Sequence, residues 1–204
     1  DGIVAIKDGI KIQKINTNQT AMIKPNWFKV PLPKGANFRD LKSIVSDYRL
    51  ATVCEESKCP NIGECWNHRT ATLMVLGSVC TRACRFCAVD TGNPKGWLDS
   101  YEPEHIAKTV AFMNLDYVVV TSVDRDDLED AGATHIASCV LETKTLCPKV
   151  TVEVLSPDFG GNLEHLDILL NSDLDVFAQN LETVKRLTQR VRDPRAGYEQ
   201  TLKV

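Results

Sequence analysis

Residues 71–87 read ATLMVLGSVCTRACRFC, an apolar run that passes directly into three closely spaced cysteines. Ala71 to Gly77 has the length and composition of a strand. The loop after it would sit at the C-terminal end of that strand, where parallel β/α folds build their sites. The alternation continues downstream. A helix is expected over residues 103–113, with Pro103 in its first turn and Ile106, Val110 and Met113 on one face. Tyr117 to Thr121 reads as a buried strand, and Ile136, Val140, Leu141 and residues 143–146 as a helix. Val150 to Leu155 is a third strand, Leu163 to Leu170 a helix and Leu174 to Ala178 a fourth strand. Residues 181–192 read as a further helix, and another starts near Gly197.

Strands and helices alternating in this way predict an α/β fold, a parallel sheet with helices outside. Right-handed crossovers then bring every strand's C-terminal end to one face. Four units are too few to close an eight-stranded barrel of ~250 residues, so the expectation is a partial, open TIM-type (β/α) barrel. The chain stops at Val204 within what reads as the next helix, which suggests a core incomplete at its C-terminus. Upstream, Phe38, Leu41, Ile44, Val45 and Tyr48 recur at helical spacing, an amphipathic helix expected to pack on the core. Ile3, Ile10, Ile12 and Ile15 alternate only weakly, and residues 1–23 are assigned no structure. The expected division is a 1–65 extension, carrying this helix and a first cysteine motif, and a 66–204 core domain.

Composition sets bounds. At 43% hydrophobic and 25% charged, the 204 residues exclude collagen-like, coiled-coil and largely disordered classes. No apolar run approaches the ~18 residues of a membrane span and no leader pattern opens the chain, so a soluble, cytoplasmic protein without a membrane partner is expected. A net charge of −3 lacks the basic excess that nucleic-acid binding requires. The charge is uneven. Residues 1–50 hold nine Lys/Arg against four Asp/Glu, and the remainder 15 against 23. A solvated basic face explains this, and a docking surface for an acidic partner is the sharper reading.

Six of the eight cysteines fall between positions 54 and 87, in two triplets. Cys54, Cys59 and Cys65 are spaced C-x4-C-x5-C, and Cys80, Cys84 and Cys87 are spaced C-x3-C-x2-C. A disulfide framework belongs to small, secreted, loop-rich chains, which this is not. Structural zinc usually takes four ligands in two short pairs, and neither triplet is arranged so; only His68 lies near them. Three thiolates suit three corners of a [4Fe-4S] cubane, which leaves one iron open to a substrate or cofactor. Cys139, among apolar helix residues, and Cys147, before a Pro, read as structural.

The second triplet with its neighbours, Cys80-Thr-Arg-Ala-Cys84-Arg-Phe86-Cys87, resembles the signature of radical S-adenosylmethionine enzymes, in which an aromatic residue precedes the third Cys. The first triplet, Cys54-Glu-Glu-Ser-Lys-Cys59-Pro-Asn-Ile-Gly-Glu-Cys65-Trp66, extends the resemblance to the lipoyl synthase family. Lys24-Pro-Asn-Trp27, Thr121-Ser-Val-Asp-Arg-Asp-Asp-Leu128 and Glu153-Val-Leu-Ser-Pro-Asp-Phe159 add to it. It covers roughly residues 24–190, and the order of the two triplets is its most specific part.

The resemblance implies that Cys80, Cys84 and Cys87 hold a [4Fe-4S] cluster whose open iron chelates S-adenosylmethionine. Reductive cleavage then yields a 5'-deoxyadenosyl radical. Cys54, Cys59 and Cys65 would hold an auxiliary [4Fe-4S] cluster that donates its sulfur. The implied reaction inserts two sulfur atoms, at C6 and C8 of a protein-bound octanoyl-lysine, in a sulfurtransferase of lipoate biosynthesis. The implied partners are an octanoylated lipoyl carrier domain or glycine cleavage H protein, a ferredoxin or flavodoxin reductant, and an iron-sulfur carrier protein. A radical and the sulfur that traps it must be close together, which gives a reason for two adjacent triplets.

Within the resemblance, Phe86 belongs to the cofactor loop, Thr121 or Ser122 would hold the methionyl amino group, and Glu153 would point toward the cofactor or to solvent. Asp124, Asp126, Asp127, Glu129 and Asp130 read as a solvated acidic loop. His68 and Arg69 follow the first triplet as a surface pair or as cluster contacts. Lys24, Trp27 and Lys29 read as an anchored extension or as contacts to the carrier protein. The family's C-terminal Arg-Ser-Ser motif, which supplies the auxiliary cluster's fourth ligand, is absent. The competing readings are another radical S-adenosylmethionine reaction, such as biotin-type sulfur insertion, and a non-catalytic zinc module or iron-sulfur carrier.

Overall fold

The computed structural model describes residues 3–9, 32–47, 51–56, 59–68 and 70–204. Lys24, Trp27, Lys29, Tyr48, Arg69 and the alternation at Ile10, Ile12 and Ile15 lie outside them. In chain order the first elements are β1 (Ala5–Ile6), α1 (Ala36–Asp47), β2 (Ala51–Thr52), α2 (Val53–Glu56) and α3 (Ile62–Asn67). Next come β3 (Thr72–Val75), β4 (Val79–Cys80), β5 (Asp90–Gly92), α4 (Glu102–Met113) and β6 (Tyr117–Ser122). The chain continues with α5 (Ala133–Leu146), β7 (Thr151–Leu155), α6 (Leu163–Leu170), β8 (Val176–Ala178), α7 (Lys185–Val191) and α8 (Tyr198–Lys203). No helix among the described residues is long and apolar enough to cross a membrane.

The main sheet has the order β2-β3-β6-β7-β8. Strands β3, β6, β7 and β8 run parallel, and β2 pairs antiparallel with the outer edge of β3. The register explains why the strands read as apolar runs. Leu73, Val75, Val118, Val120, Val152 and Val154 share the face covered by α4, α5 and α6, and are sealed from solvent. Each such side chain contributes roughly 1.5–3 kcal/mol of burial. The opposite face carries the rows Thr72, Val119, Glu153, Val176 and Met74, Thr121, Leu155, Ala178. It is the concave side of an open (β/α) barrel, and it is more polar.

Helix boundaries have local causes. Pro103 sits in the first turn of α4, and Asn114 closes that helix in the left-handed conformation. Asn162 caps α6 by accepting the Glu164 N–H at 2.9 Å. The expected helix over 181–192 begins only at Lys185, because Glu182 is left-handed (φ 66°) and Val184 is extended. The fourth strand likewise starts at Val176 rather than Leu174. Helix α1 buries Leu41 and Val45, and Phe38 packs its ring 5.3 Å from that of the fully buried Trp66 on α3.

A second, small sheet of order β1-β5-β4 was not expected. Its β1 lies antiparallel to β5, while β4 and β5 are parallel. Gly9, just beyond β1, is left-handed (φ 65°), and a Cβ there would come within 2.7 Å of the Cys87 carbonyl oxygen, so only glycine fits.

Candidate functional site

The second cysteine triplet leaves β3 through a sharp turn at Leu76 and Gly77, both left-handed. Cys80 ends β4, and the Cys87 N–H closes a turn onto the Cys84 carbonyl at 3.1 Å. The fastening of this loop is ionic. Arg82, only 4% exposed, donates from Nη1 to Asp158 at 2.8 Å and from Nη2 to Asp126 at 2.8 Å, and lies 3.3 Å from Asp124. The Thr81 N–H donates to the Asp124 carbonyl at 2.9 Å, and the Ala83 N–H to Asp193 Oδ2 at 2.8 Å. The loops that follow β6, β7 and α7 therefore all converge on the cysteine loop. Asp124, Asp126 and Asp127 form ion pairs, and Asp130 accepts from amides at the start of α5, so these four are wired into the protein, while Glu129 is exposed as a solvated loop residue would be.

Two backbone amides point at sulfur. Arg82 N–H lies 3.4 Å from Cys80 Sγ, and Asp193 N–H lies 3.3 Å from Cys84 Sγ. Burial, aided by the Asp124 carboxylate, pushes the Cys80 thiol up to about 12, and burial raises Cys84 as well. Such thiols stay protonated near neutrality until a metal displaces the proton. Burial also raises Asp124 to about 6, against the pull of Arg82.

Beside this loop lies a cleft of about 130 Å³ at the C-terminal ends of β6, β7 and β8, lined by Thr121, Ser122, Asp158, Gln179 and Arg192 among others. Thr121 Oγ1 already donates to the Leu155 carbonyl at 2.9 Å. Ser122 Oγ and Arg192 Nε are buried and have no hydrogen-bond partner among the described residues. Buried polar groups are normally satisfied, so two orphans lining one cleft mark a place for a polar ligand. Glu153 lies on the concave face below the cleft, where the Tyr117 hydroxyl donates to it, and it does not line the cleft. Phe86 is 54% exposed.

The first triplet is built on two short helices: Cys54 lies on α2, Cys65 on α3 and Cys59 between them. The Cys59 N–H donates to the Cys54 carbonyl at 3.0 Å. Burial, then the neighbouring Cys54 and Cys59 thiols, raise Cys65. His68 ends α3. The segment reaches toward the second triplet: burial and then Asp90, three residues beyond Cys87, raise Glu56.

All six thiols are free and partly buried. Among the described residues, the three-residue group whose ligand atoms lie within 4.8 Å of one another is Glu102, His135 and Cys139, and neither triplet is gathered so tightly. A single zinc ion with bonds of ~2.3 Å would need closer sulfurs, whereas a cubane holds its cysteines further apart. Within each triplet the thiols are near enough to act on one another, Cys54 and Cys59 on Cys65 and Cys87 on Cys80, which is the gathering a three-cysteine cluster site needs. Cys139 is buried in the core and Cys147 is partly buried against it.

Sequence reasoning missed Arg82, Arg192 and Asp193. Arg82 stood inside the cysteine motif and could have been read as its anchor, but the other two carry no local signal.

Residues 74–204 match the family model of the radical SAM superfamily, and residues 5–59 match that of the N-terminal domain of lipoyl synthase of the radical SAM family. Among curated relatives, the lipoyl synthase of Ectopseudomonas mendocina (strain ymp) is 59% identical over 203 residues, covering 100% of this chain and 58% of the relative. That of Marinobacter nauticus is 58% identical over 204 residues, covering 100% of this chain and 59% of the relative. The Halorhodospira halophila lipoyl synthase is 57% identical over 204 residues, with 100% and 61% covered. The chain spans about three fifths of the length of these relatives. A parallel β/α sheet, a three-cysteine loop at the end of its first parallel strand and a model match over well over half the sequence lead to one assignment: the chain belongs to the radical S-adenosylmethionine superfamily.

Proposed function

We propose that the protein is a lipoyl synthase, which inserts sulfur at C6 and C8 of an octanoyl chain amide-linked to a lysine of a carrier protein. The observation that carries this reading is the pairing of two free cysteine triplets with a cleft that contains two orphaned polar atoms. The match of residues 5–59 to the lipoyl synthase N-terminal domain supports it over other radical reactions.

Cys80, Cys84 and Cys87 would hold the [4Fe-4S] cluster that binds S-adenosylmethionine, and Cys54, Cys59 and Cys65 the auxiliary [4Fe-4S] cluster. When bound, the first supplies the electron that cleaves S-adenosylmethionine to a 5'-deoxyadenosyl radical, and the second supplies sulfur. The chain's own residues bind and orient. Ser122 Oγ, which has no partner of its own, would accept from the methionyl amino group, and Thr121, engaged with Leu155, holds the strand end in place beside it. The unpartnered Arg192 Nε–H would donate to the carboxylate. Phe86 flanks the cofactor loop, and Glu153 contributes to the wall of the concave face. Amides aimed at Cys80 and Cys84 stabilise their thiolate forms. We assign residues 1–65 to the auxiliary extension and 66–204 to the radical core.

The partners of this reading are an octanoylated lipoyl carrier domain or H protein, a ferredoxin or flavodoxin, and an iron-sulfur carrier that rebuilds the auxiliary cluster, in the cytoplasm. The test is anaerobic reconstitution followed by assays for iron, sulfide, zinc and 5'-deoxyadenosine. About eight irons per chain are expected, with 5'-deoxyadenosine released under reducing conditions. Cys80→Ala abolishes that release, while Cys59→Ala preserves it and stops sulfur insertion. Zinc with little iron and no 5'-deoxyadenosine would overturn the proposal.

A further inference from the structure

The turn that delivers the chain from β3 to the cysteine loop is gripped on every side. Leu76 is left-handed (φ 70°), a conformation that is strained for a non-glycine residue and persists only where its surroundings impose it. Its N–H donates to Glu102 Oε2 at 2.8 Å, and the next N–H, of Gly77, reaches Glu102 Oε1 at 3.4 Å. Its carbonyl accepts from Arg125 Nη1 at 3.1 Å. Its side chain packs so closely under the start of α5 that a Cβ on Gly132 would come within 2.5 Å of Leu76 Cδ1. Glu102, at the start of α4, is itself held by His135 of α5, whose Nε2 lies 2.7 Å from the same Oε2.

We propose that Glu102 and His135 are positioning residues for the cysteine loop: together they hold the Leu76–Gly77 turn in the left-handed form that aims β4 and Cys80 at the cleft. This rests on the reading of Cys80, Cys84 and Cys87 as cluster ligands. Neither residue lines the cleft, and the pair acts through the backbone four residues ahead of Cys80. Cys139 Sγ lies close by, which makes a divalent-metal site the rival interpretation. Hydrogen bonding favours the positioning role, because Glu102 Oε2 already serves both Leu76 and His135.

The test compares His135→Leu, which removes the support of Glu102, with His135→Gln, whose amide can still donate to it, and with Glu102→Gln. Amide exchange at Leu76 and Gly77 in the metal-free chain reports the turn directly. Exchange about tenfold faster is expected in His135→Leu and Glu102→Gln, with most of the protection restored in His135→Gln. In the reconstituted protein the iron content stays that of the wild type. The electron paramagnetic resonance shift on adding S-adenosylmethionine shrinks in His135→Leu, and 5'-deoxyadenosine formation falls about tenfold through kcat. Unchanged exchange, or His135→Gln behaving like His135→Leu in every readout, would overturn the proposal. So would stoichiometric cobalt binding with a thiolate absorption band that is lost in Cys139→Ser. If the wild type takes up no cluster, the lipoyl synthase reading fails, and the exchange result still decides whether the pair holds the turn.

Discussion

The two cysteine segments lie close together and are fastened by opposite means. Residues 80–87 are tied by charge: Arg82 fans across Asp126 and Asp158, and Asp193 clasps the Ala83 amide while pairing with Arg195. Among the described residues, 54–65 make no ion pair and rest on hydrogen bonds and packing. Asn67 donates to the Lys34 and Gly63 carbonyls at 2.5 and 2.7 Å, Thr52 Oγ1 accepts the Glu55 N–H at 3.2 Å, and Trp66 packs on Phe38. Buried charge is all-or-none, because losing one partner strands the other in low dielectric. Neutral bonds fail one at a time, each at modest cost. The segment proposed to generate the radical is rigidly wired, and the segment proposed to give up its sulfur is held by contacts that can loosen singly.

Four measurements would break or sharpen that contrast. Arg82→Met should have the largest effect: it leaves Asp124 and Asp158 without an ion-pair partner, while Asp126 keeps Arg195, and destabilises the chain by about 3–5 kcal/mol, read from urea denaturation. Asn67→Ala should cost about 1–2 kcal/mol and lower iron at the first triplet while leaving the second loaded. Equal loss of iron from both triplets would show that the fastenings are not independent. Asp130→Ala removes the acceptor for the Gly132 and Thr134 amides at the start of α5, and should cost about 1 kcal/mol without altering iron content.

The smallest effect is a dependence on acidity. Bonding to Arg125 holds Asp127 below the usual carboxylate range, and the Thr134 and Gly132 amides outweigh burial to do the same for Asp130. Their contribution to stability is full above the unfolded value of ~3.9 and is lost as pH falls through the lower folded values. The urea midpoint should therefore drop below about pH 4, and the drop should be smaller in Asp130→Asn.

The contrast also separates what was legible in the sequence from what was not. The parallel strands announced themselves because Val118, Val120, Val152 and Val154 are buried against helices and read as apolar runs. The six cysteines were legible because their spacing in two triplets is a pattern of the sequence itself. The small sheet was invisible, since two-residue strands such as β1 and β4 carry no periodicity and exist only through their partners. The acidic stretch after β6 looked solvated because its counter-charge, Arg82, arrives from more than forty positions upstream. Asp193 reaches Ala83 across 110 positions, a separation over which no local pattern can speak. Helix α7 was expected to start too early because helical spacing of apolar residues does not reveal the left-handed backbone at Glu182.

Gly9 against the Cys87 carbonyl has a consequence for biogenesis. Synthesis runs from the N-terminus, so β1 leaves the ribosome long before Asp90 to Gly92, the strand on which it must lie. Until that late strand emerges, the first residues have no place to dock and the cysteine loop stays uncovered on that side. Closure of β1 over the loop is thus a long-range, late event in folding. The interval before it is the window in which the thiols of Cys80, Cys84 and Cys87 are reached with the fewest obstacles.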